Sequence, residues 1–432
     1  MAHNKKIMET ERRIYRGWIV TAASFMNYMV VWGGVWYSFP VFYRIFLQEY
    51  HWGRSETVAV FSVCASLVFL LAPLAGMALD RYGPRPIMPA ASLFLGFALF
   101  LCSQIHSLSA FYLYYGIGCA IGMSFLLFTP QTAILSRWFQ THRGTALGIS
   151  LSGSGAGMIL IIPLIEWVSS QMGWRNGFLL LSGLVLFLVL PANIFLIRFP
   201  KEGEIARESG LLFWLNGVRP DKKLIVVDPV WTSKIWTPRD AIRTRRFWYL
   251  YLAGTTGMGL VVQTIFSHFM VMTTEIGYST AFSSKMLGLA GFMGAVGFLF
   301  WGKLGDWIGR EWSYTLGTAS LFVGLLFLFH MKWTGGITPF ILFAALFGFG
   351  YGSRSPLMQS IFADIFQGPY FSSIFGLNQM LLTVIFVGPW LAGAVASYTK
   401  SYQPIILVFL GLLVLSTLLI WLAAPRDIRR LK

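Results

Sequence analysis

One charge lies well inside a long apolar stretch of this 432-residue chain: Arg354, in the run Phe347 to Pro356 that reads FGFGYGSRSP. An ionisable side chain at membrane depth costs about 2.5–3.5 kcal/mol on insertion scales, so it faces a protein interior or a water-filled path. A guanidinium there has two readings. Its planar fork suits a carboxylate, which would make it an anion-binding group. It also lies only about 12 Å from the end of its helix at ~1.5 Å per residue, where it could pack, gate, snorkel or pair with Asp80. Tyr37 and Tyr351 are candidate hydroxyl donors to the same anion, with an interfacial aromatic as the alternative for Tyr37. Gln131, Gln263, Asn378 and Gln379 are uncharged polar groups within apolar stretches. Such groups touch a solute or simply hydrogen-bond between helices. His268 is the candidate proton acceptor, because imidazole titrates near physiological pH, and a structural histidine is the alternative.

What positions these groups is read from the pattern of apolar runs. The chain is 56% apolar and 12% charged, about half the charged fraction of a soluble protein. Runs of roughly 20 apolar residues, enough to cross a bilayer, occur twelve times, at 17–46, 55–79, 86–106, 109–134, 143–168, 174–199, 247–273, 281–307, 312–331, 337–362, 370–397 and 403–424. The first is too long for a signal-peptide core and is retained as a helix. Cys64, Cys102 and Cys119 all fall within apolar runs, as packing residues do, so neither a disulfide framework nor a metal cluster is expected. There is no Gly-x-x-x-x-Gly-Lys loop and no His-Glu-x-x-His pair, and the six histidines are scattered. An enzyme and a cofactor are therefore not expected. A channel is disfavoured too, since no ring of charges or filter-like repeat occurs.

The net charge of +16 has a topological origin. With the N-terminus inside, 26 of the 33 Lys and Arg fall on the cytoplasmic side and six on the other. Both termini are expected in the cytoplasm, with anionic lipid rather than nucleic acid as the partner of the basic surface. The one long polar gap, Pro200 to Arg246, splits the runs six and six. The expected organisation is a tail (1–16), a six-helix bundle (17–199), a central loop (200–246), a second six-helix bundle (247–424) and a short tail (425–432). Thr237-Pro238-Arg239-Asp240 reads as an N-cap, a first-turn proline and an acidic third position, hence a short surface helix. The halves also repeat: Gly76 to Gly83 recurs as Gly302 to Gly309 at an offset of 226, Pro130 and Pro356 share that offset, and Phe139-Gln140 recurs as Phe366-Gln367 at 227. A duplicated six-helix unit is the build of carriers that rock two halves about a central site.

The stretch Gly76 to Pro86, GMALDRYGPRP, resembles the signature between the second and third helices of the major facilitator superfamily. Asp80 at a helix end, with Arg81, Arg85 and its repeat partner Asp306, would latch the two halves at the cytoplasmic face; a topology anchor is the alternative for the arginines. A narrower resemblance is to the monocarboxylate transporters and the bacterial oxalate–formate antiporter group. It is carried by Arg16-Gly17-Trp18, Tyr37 to Phe42, Arg137 to Gly157 and Phe347 through Gly376.

The narrower resemblance implies an all-α membrane protein of twelve helices in two pseudo-symmetric bundles. It also implies secondary transport of a small organic anion, a monocarboxylate, across a plasma membrane (a bacterial inner membrane), by a monomer. It places substrate contacts on Tyr351 and Ser355, which are one turn apart and share a face; Arg354 lies about 60° round from Tyr351. The chain departs from the family at helix 8, where the Asp and Arg of proton-coupled members align with Gly294 and Phe298. The basic residue on helix 1 of some members falls near Tyr37, and the helix 11 Lys of the oxalate exchanger has no counterpart between Leu377 and Trp390. Symport with protons, exchange for a counter-anion and uniport of an uncharged or aromatic solute therefore remain open, as does a ligand sensor of transporter build. The expected binding set is Arg354, Tyr351, Ser355, Tyr37, Gln263 and Asn378.

Overall fold

The computed structural model describes residues 15–204, 224–275, 277–334, 336–399 and 401–431. The expected N-terminal tail and much of the central loop lie outside these residues. The first half consists of α1 (Arg16–Glu49), α2 (Arg54–Leu70 with Ala72–Tyr82), α3 (Pro84–Cys102), α4 (Leu108–Trp138), α5 (Arg143–Met172) and α6 (Trp174–Phe195). The second consists of α7 (Arg245–Glu275), α8 (Thr280–Ile308), α9 (Arg310–Thr334), α10 (Ile337–Tyr351 with Arg354–Phe366), α11 (Phe371–Thr399) and α12 (Gln403–Ala423). The twelve apolar runs thus become twelve helices, all-α, in two halves of six.

Several of the runs are interrupted. α2 bends by 41° between Leu70 and Ala72, α10 breaks at Gly352–Ser353, α4 at Phe125–Leu127 and α1 at Tyr37–Ser38, and α11 passes through a tight turn at Leu382–Phe386. Pro73 and Pro356 follow the first two breaks within a few residues. Proline has no N–H to return to the preceding turn and clashes with it, which is a sufficient cause. Equivalent segments of the halves also share a wider winding. Tyr28–Trp36 of α1 and Thr255–Gln263 of α7 are both π-helical and are related by an offset of 227. An i→i+5 segment swells the helix and recurs at functional positions. Gly83 and Gly309, at φ of 73° and 100°, reverse the chain after α2 and α8; a side chain would be strained there.

The end of the molecule where α2 meets α3 and α8 meets α9 also carries the central loop and the C-terminus, and is called the loop face below. There β1 (Leu224–Val226) pairs antiparallel with β2 (Arg429–Leu431), Ile225 opposite Arg430. The short helix Pro238–Ala241 forms with Thr237 as its cap, the Thr237 hydroxyl accepting from Asp240 N–H. Trp231 and Trp236 of the loop seat on Phe366 at the end of α10. Loop and tail together thus cover the end of α10.

Candidate functional site

Tyr351 sits where the halves meet. Its ring packs against the apolar cores of both halves. Phe266 of α7 and Phe298 of α8 meet it edge-on, at centroid distances of 5.3 and 5.4 Å. A Cβ at Gly294 would lie 2.8 Å from this ring. Gly294 and Phe298, the two α8 positions singled out in the sequence, therefore both lie against the Tyr351 ring. Tyr37 lies close enough to the Tyr351 hydroxyl to interact with it electrostatically, and its own ring meets Trp32 edge-on at 6.0 Å. Ser355 is half-buried one turn on. One turn further, the amide of Gln359 faces the Tyr28 hydroxyl of α1. Tyr28 Oη, Gln359 Oε1 and Asn378 Oδ1 are buried without a hydrogen-bond partner. Such groups are costly when left unpaired and mark where a polar solute or water belongs. Gln263 closes the π-helical segment of α7, one turn before Phe266. A narrow cleft, with room for about one water, opens beside this region, lined by Phe69, Phe128, Thr129 and Gln379 among others.

Arg354 is turned elsewhere. It is 2% exposed, its Nη2 donates to Thr318 Oγ1 at 2.8 Å, and it lies over the Tyr314 ring at 4.3 Å. Thr417 of α12 donates to the same Thr318 hydroxyl. Arg354 therefore packs among α9, α10 and α12 within the second half and is not paired with Asp80. The wheel angle of 60° correctly separates it from Tyr351, yet it lands on the flank facing α9. Gly352 and Ser353 keep right-handed helical dihedrals, so the angle carries across; which flank faces the centre is set by how α10 is turned against α9 and α12. Its Nε and Nη1 have no partner, and among the described residues it has no ion pair. Removing a buried charge while keeping its stem is often neutral or stabilising. Arg354→Met is therefore expected to keep or raise the melting temperature of the purified protein; a loss of more than about 3 kcal/mol would mean an anionic partner is being lost.

His268 is also held inside the second half: Nδ1 bonds Tyr402 Oη at 3.0 Å and Nε2 bonds the Pro389 carbonyl at 2.9 Å. Both nitrogens are taken by α11 and α12, a structural arrangement.

Asp80 and Asp306, two of the expected gating residues, each reach into the opposite half. Asp80 accepts from Ser372 N–H (3.3 Å), Ser373 N–H (2.8 Å) and Ser373 Oγ (2.7 Å) at the start of α11. Asp306 does the same at the start of α5, accepting from Gly144 N–H (2.9 Å), Thr145 N–H (2.6 Å) and Thr145 Oγ1 (2.6 Å). Each acid from one half thus caps a helix of the other, where unpaired N–H groups and the helix dipole favour a negative charge. Arg81 and Arg85, in contrast, are exposed; Arg81 lies over the neighbouring Tyr82 ring. Among the described residues, neither forms an ion pair with Asp80 or Asp306. The cations in the latch are Arg137, paired with Asp80 at 3.3 Å, and Arg143 and Arg310, both paired with Asp364. Arg310 also pairs with Asp306. Sequence reasoning read these arginines as topology charges and left out Asp364, Tyr28 and Gln359. The internal repeat held a signal for part of this: the 227 offset maps Arg137 onto Asp364.

Backbone closeness makes the latch possible. A Cβ at Gly144 would lie 2.4 Å from the Gly302 carbonyl oxygen, and one at Gly148 2.2 Å from that of Phe298; Gly76 and Ser372 form the equivalent seam between α2 and α11.

Comparison with known proteins agrees with this architecture. The Major Facilitator Superfamily profile matches residues 18–384 and 299–432. The chain is 25% identical to monocarboxylate transporter 4 of Gallus gallus, covering 91% of this chain and 79% of that protein. Against monocarboxylate transporter 2 of Homo sapiens the identity is 25%, over 90% of this chain and 81% of that protein. Among solved structures, the proton:xylose symporter XylE bound to 6-bromo-6-deoxy-D-glucose superposes with a TM-score of 0.69 at 12% identity, covering 94% and 95% of the two chains. A variant of the E. coli fucose:proton symporter FucP gives 0.70 at 12%, covering 95% and 100%. These two show the fold alone. The chain belongs to the Major Facilitator Superfamily. It is a multi-pass membrane transporter similar to monocarboxylate transporters, and those relatives are transporters rather than enzymes.

Proposed function

We propose that this transporter moves a small organic anion, a monocarboxylate, by alternating access about Tyr351. The observation that carries the reading is the pairing of two things. Reciprocal acid-to-helix caps join the halves at the loop face, while buried polar atoms of α1, α10 and α11 lack a hydrogen-bond partner. In this reading Tyr351, Ser355, Tyr37, Gln263 and Asn378 surround the solute together with Tyr28 and Gln359. Asp80 and Asp306 hold the loop face shut. The basic excess makes that face cytoplasmic, with both termini there. Arg354 supplies positive potential from behind the site rather than a direct fork.

Exchange or uniport is favoured over proton symport, because the α8 positions of the Asp–Arg pair hold Gly294 and Phe298 against the Tyr351 ring. Counterflow of labelled pyruvate in proteoliposomes tests this. Uptake is expected in protein-containing vesicles and absent from empty ones, with a rate that changes less than about twofold between roughly pH 6 and pH 8, the range over which a histidine carrier would titrate. Tyr351→Phe, which removes only the hydroxyl, is expected to raise KM about 5- to 10-fold, the weight of about one hydrogen bond. Unaltered kinetics in that variant would remove Tyr351 from the site.

A further inference from the structure

We infer that the solute is a flat aromatic monocarboxylate, its ring held by Trp32 and Phe128 of the first half against Tyr351 of the second. This rests on the transport reading of the same site. Trp32 lies in the π-helical segment of α1, stacked on Trp36 at 4.3 Å and edge-on to Phe128 at 4.7 Å. Phe128 lines the interior cleft beside Gln379 of the opposite half. Trp32, Phe128 and Tyr351 are each only half-buried, although all three pack against the core of the first half. Rings placed there and left partly uncovered offer faces and edges to a solute.

The polar groups beside them are neutral. Tyr28 is 1% exposed and Gln359 and Asn378 are each 3% exposed, and each has an oxygen with no hydrogen-bond partner. The Tyr28 hydroxyl donates to a carboxylate, and Gln359 and Asn378 do so once their amides rotate to present N–H in place of the oxygen, all without an ion pair. Arg354, the buried arginine of α10, is engaged by Thr318 and Tyr314 instead. With no cation beside these groups among the described residues, binding comes chiefly from the organic part of the solute. Rings that stack or meet edge-on contribute beyond their buried area, and a puckered ring of equal size does not reproduce that geometry.

Calorimetry on the purified full chain in detergent, with benzoate, cyclohexanecarboxylate and pyruvate, tests the assignment. Benzoate is expected to bind about tenfold more tightly than cyclohexanecarboxylate, the scale of one or two aromatic contacts, and more tightly than pyruvate. Trp32→Leu is expected to erase the preference for benzoate and Trp32→Phe to keep most of it, with melting temperatures measured alongside. Should Trp32→Leu misfold, Phe128→Leu makes the same test from α4. Equal affinity for the planar and puckered rings, or a benzoate preference that survives in both folded leucine variants, overturns the aromatic site. Pyruvate binding and counterflow without a benzoate preference overturns it too, and leaves the transport reading standing. Binding of none of the three overturns both.

Discussion

Asp306→Ala is expected to open the loop face and cut transport by at least tenfold. The carboxylate accepts from two backbone N–H groups and a hydroxyl of α5, and it pairs with the buried Arg310. Hydrogen bonds to a charged group contribute about 1.5–3 kcal/mol each, and breaking a buried ion pair from one side costs about 3–5 kcal/mol. Arg310 retains Asp364 as a partner, so the lower figure applies. A change of about 3 kcal/mol shifts a two-state equilibrium by about 100-fold. Spin labels at Tyr82 and Trp312, exposed loop-face positions on opposite halves, would read the change as a longer, broader distance distribution. Asp306→Asn keeps one acceptor and should fall between wild type and Ala. Asp80→Ala should have the smaller effect, because its partner Arg137 is a quarter exposed and water replaces part of what is lost. An unchanged distance distribution in Asp306→Ala would show that the caps do not hold the halves.

The second large effect is expected at Gly148. An added methyl would lie 2.2 Å from the Phe298 carbonyl oxygen, so α5 and α8 would have to separate. Overpacking typically costs about 1–3 kcal/mol, and here the strain acts across the two halves rather than inside one. Gly148→Leu is therefore expected to keep the protein folded and monodisperse while abolishing the closed loop face and most of the transport. Gly157 provides the contrast. Its Cβ would meet the Met29 carbonyl at 2.0 Å, within the first half. Substitution there should lower the melting temperature with no selective effect on the loop-face distance. If both variants simply unfold, the seam is part of the core and not a moving surface.

Much of this molecule was legible in the residues. Twelve apolar runs became twelve helices, since a bilayer-length run has one way to satisfy its backbone in lipid. The repeat of Asp80 at Asp306 pointed to a latch at both places. Arg354 shows the limit. A three-residue step implies an angle between Tyr351 and Arg354, but not which of the two flanks of α10 faces the centre. Arg81 and Arg85 show another: a basic residue beside a signature acid looks like its partner, but the acid turned to the backbone of the opposite half. Tyr28 and Gln359 carried no signal, because an uncharged polar residue in an apolar run reads the same whether it bonds a neighbouring helix or faces a solute.

The sequence by itself determined the class of fold, the number of helices, the duplication and the two repeated acids that reach across the halves. Each of these follows from local pattern: run length, charge placement and spacing that repeats. Only the tertiary structure decided which flank of α10 looks across the centre, that Arg143, Arg310 and Asp364 are partners, and that Gly294 and Phe298 make room for an aromatic ring in place of a charge pair. Those depend on how helices far apart in the chain rotate and approach, and no local period encodes that.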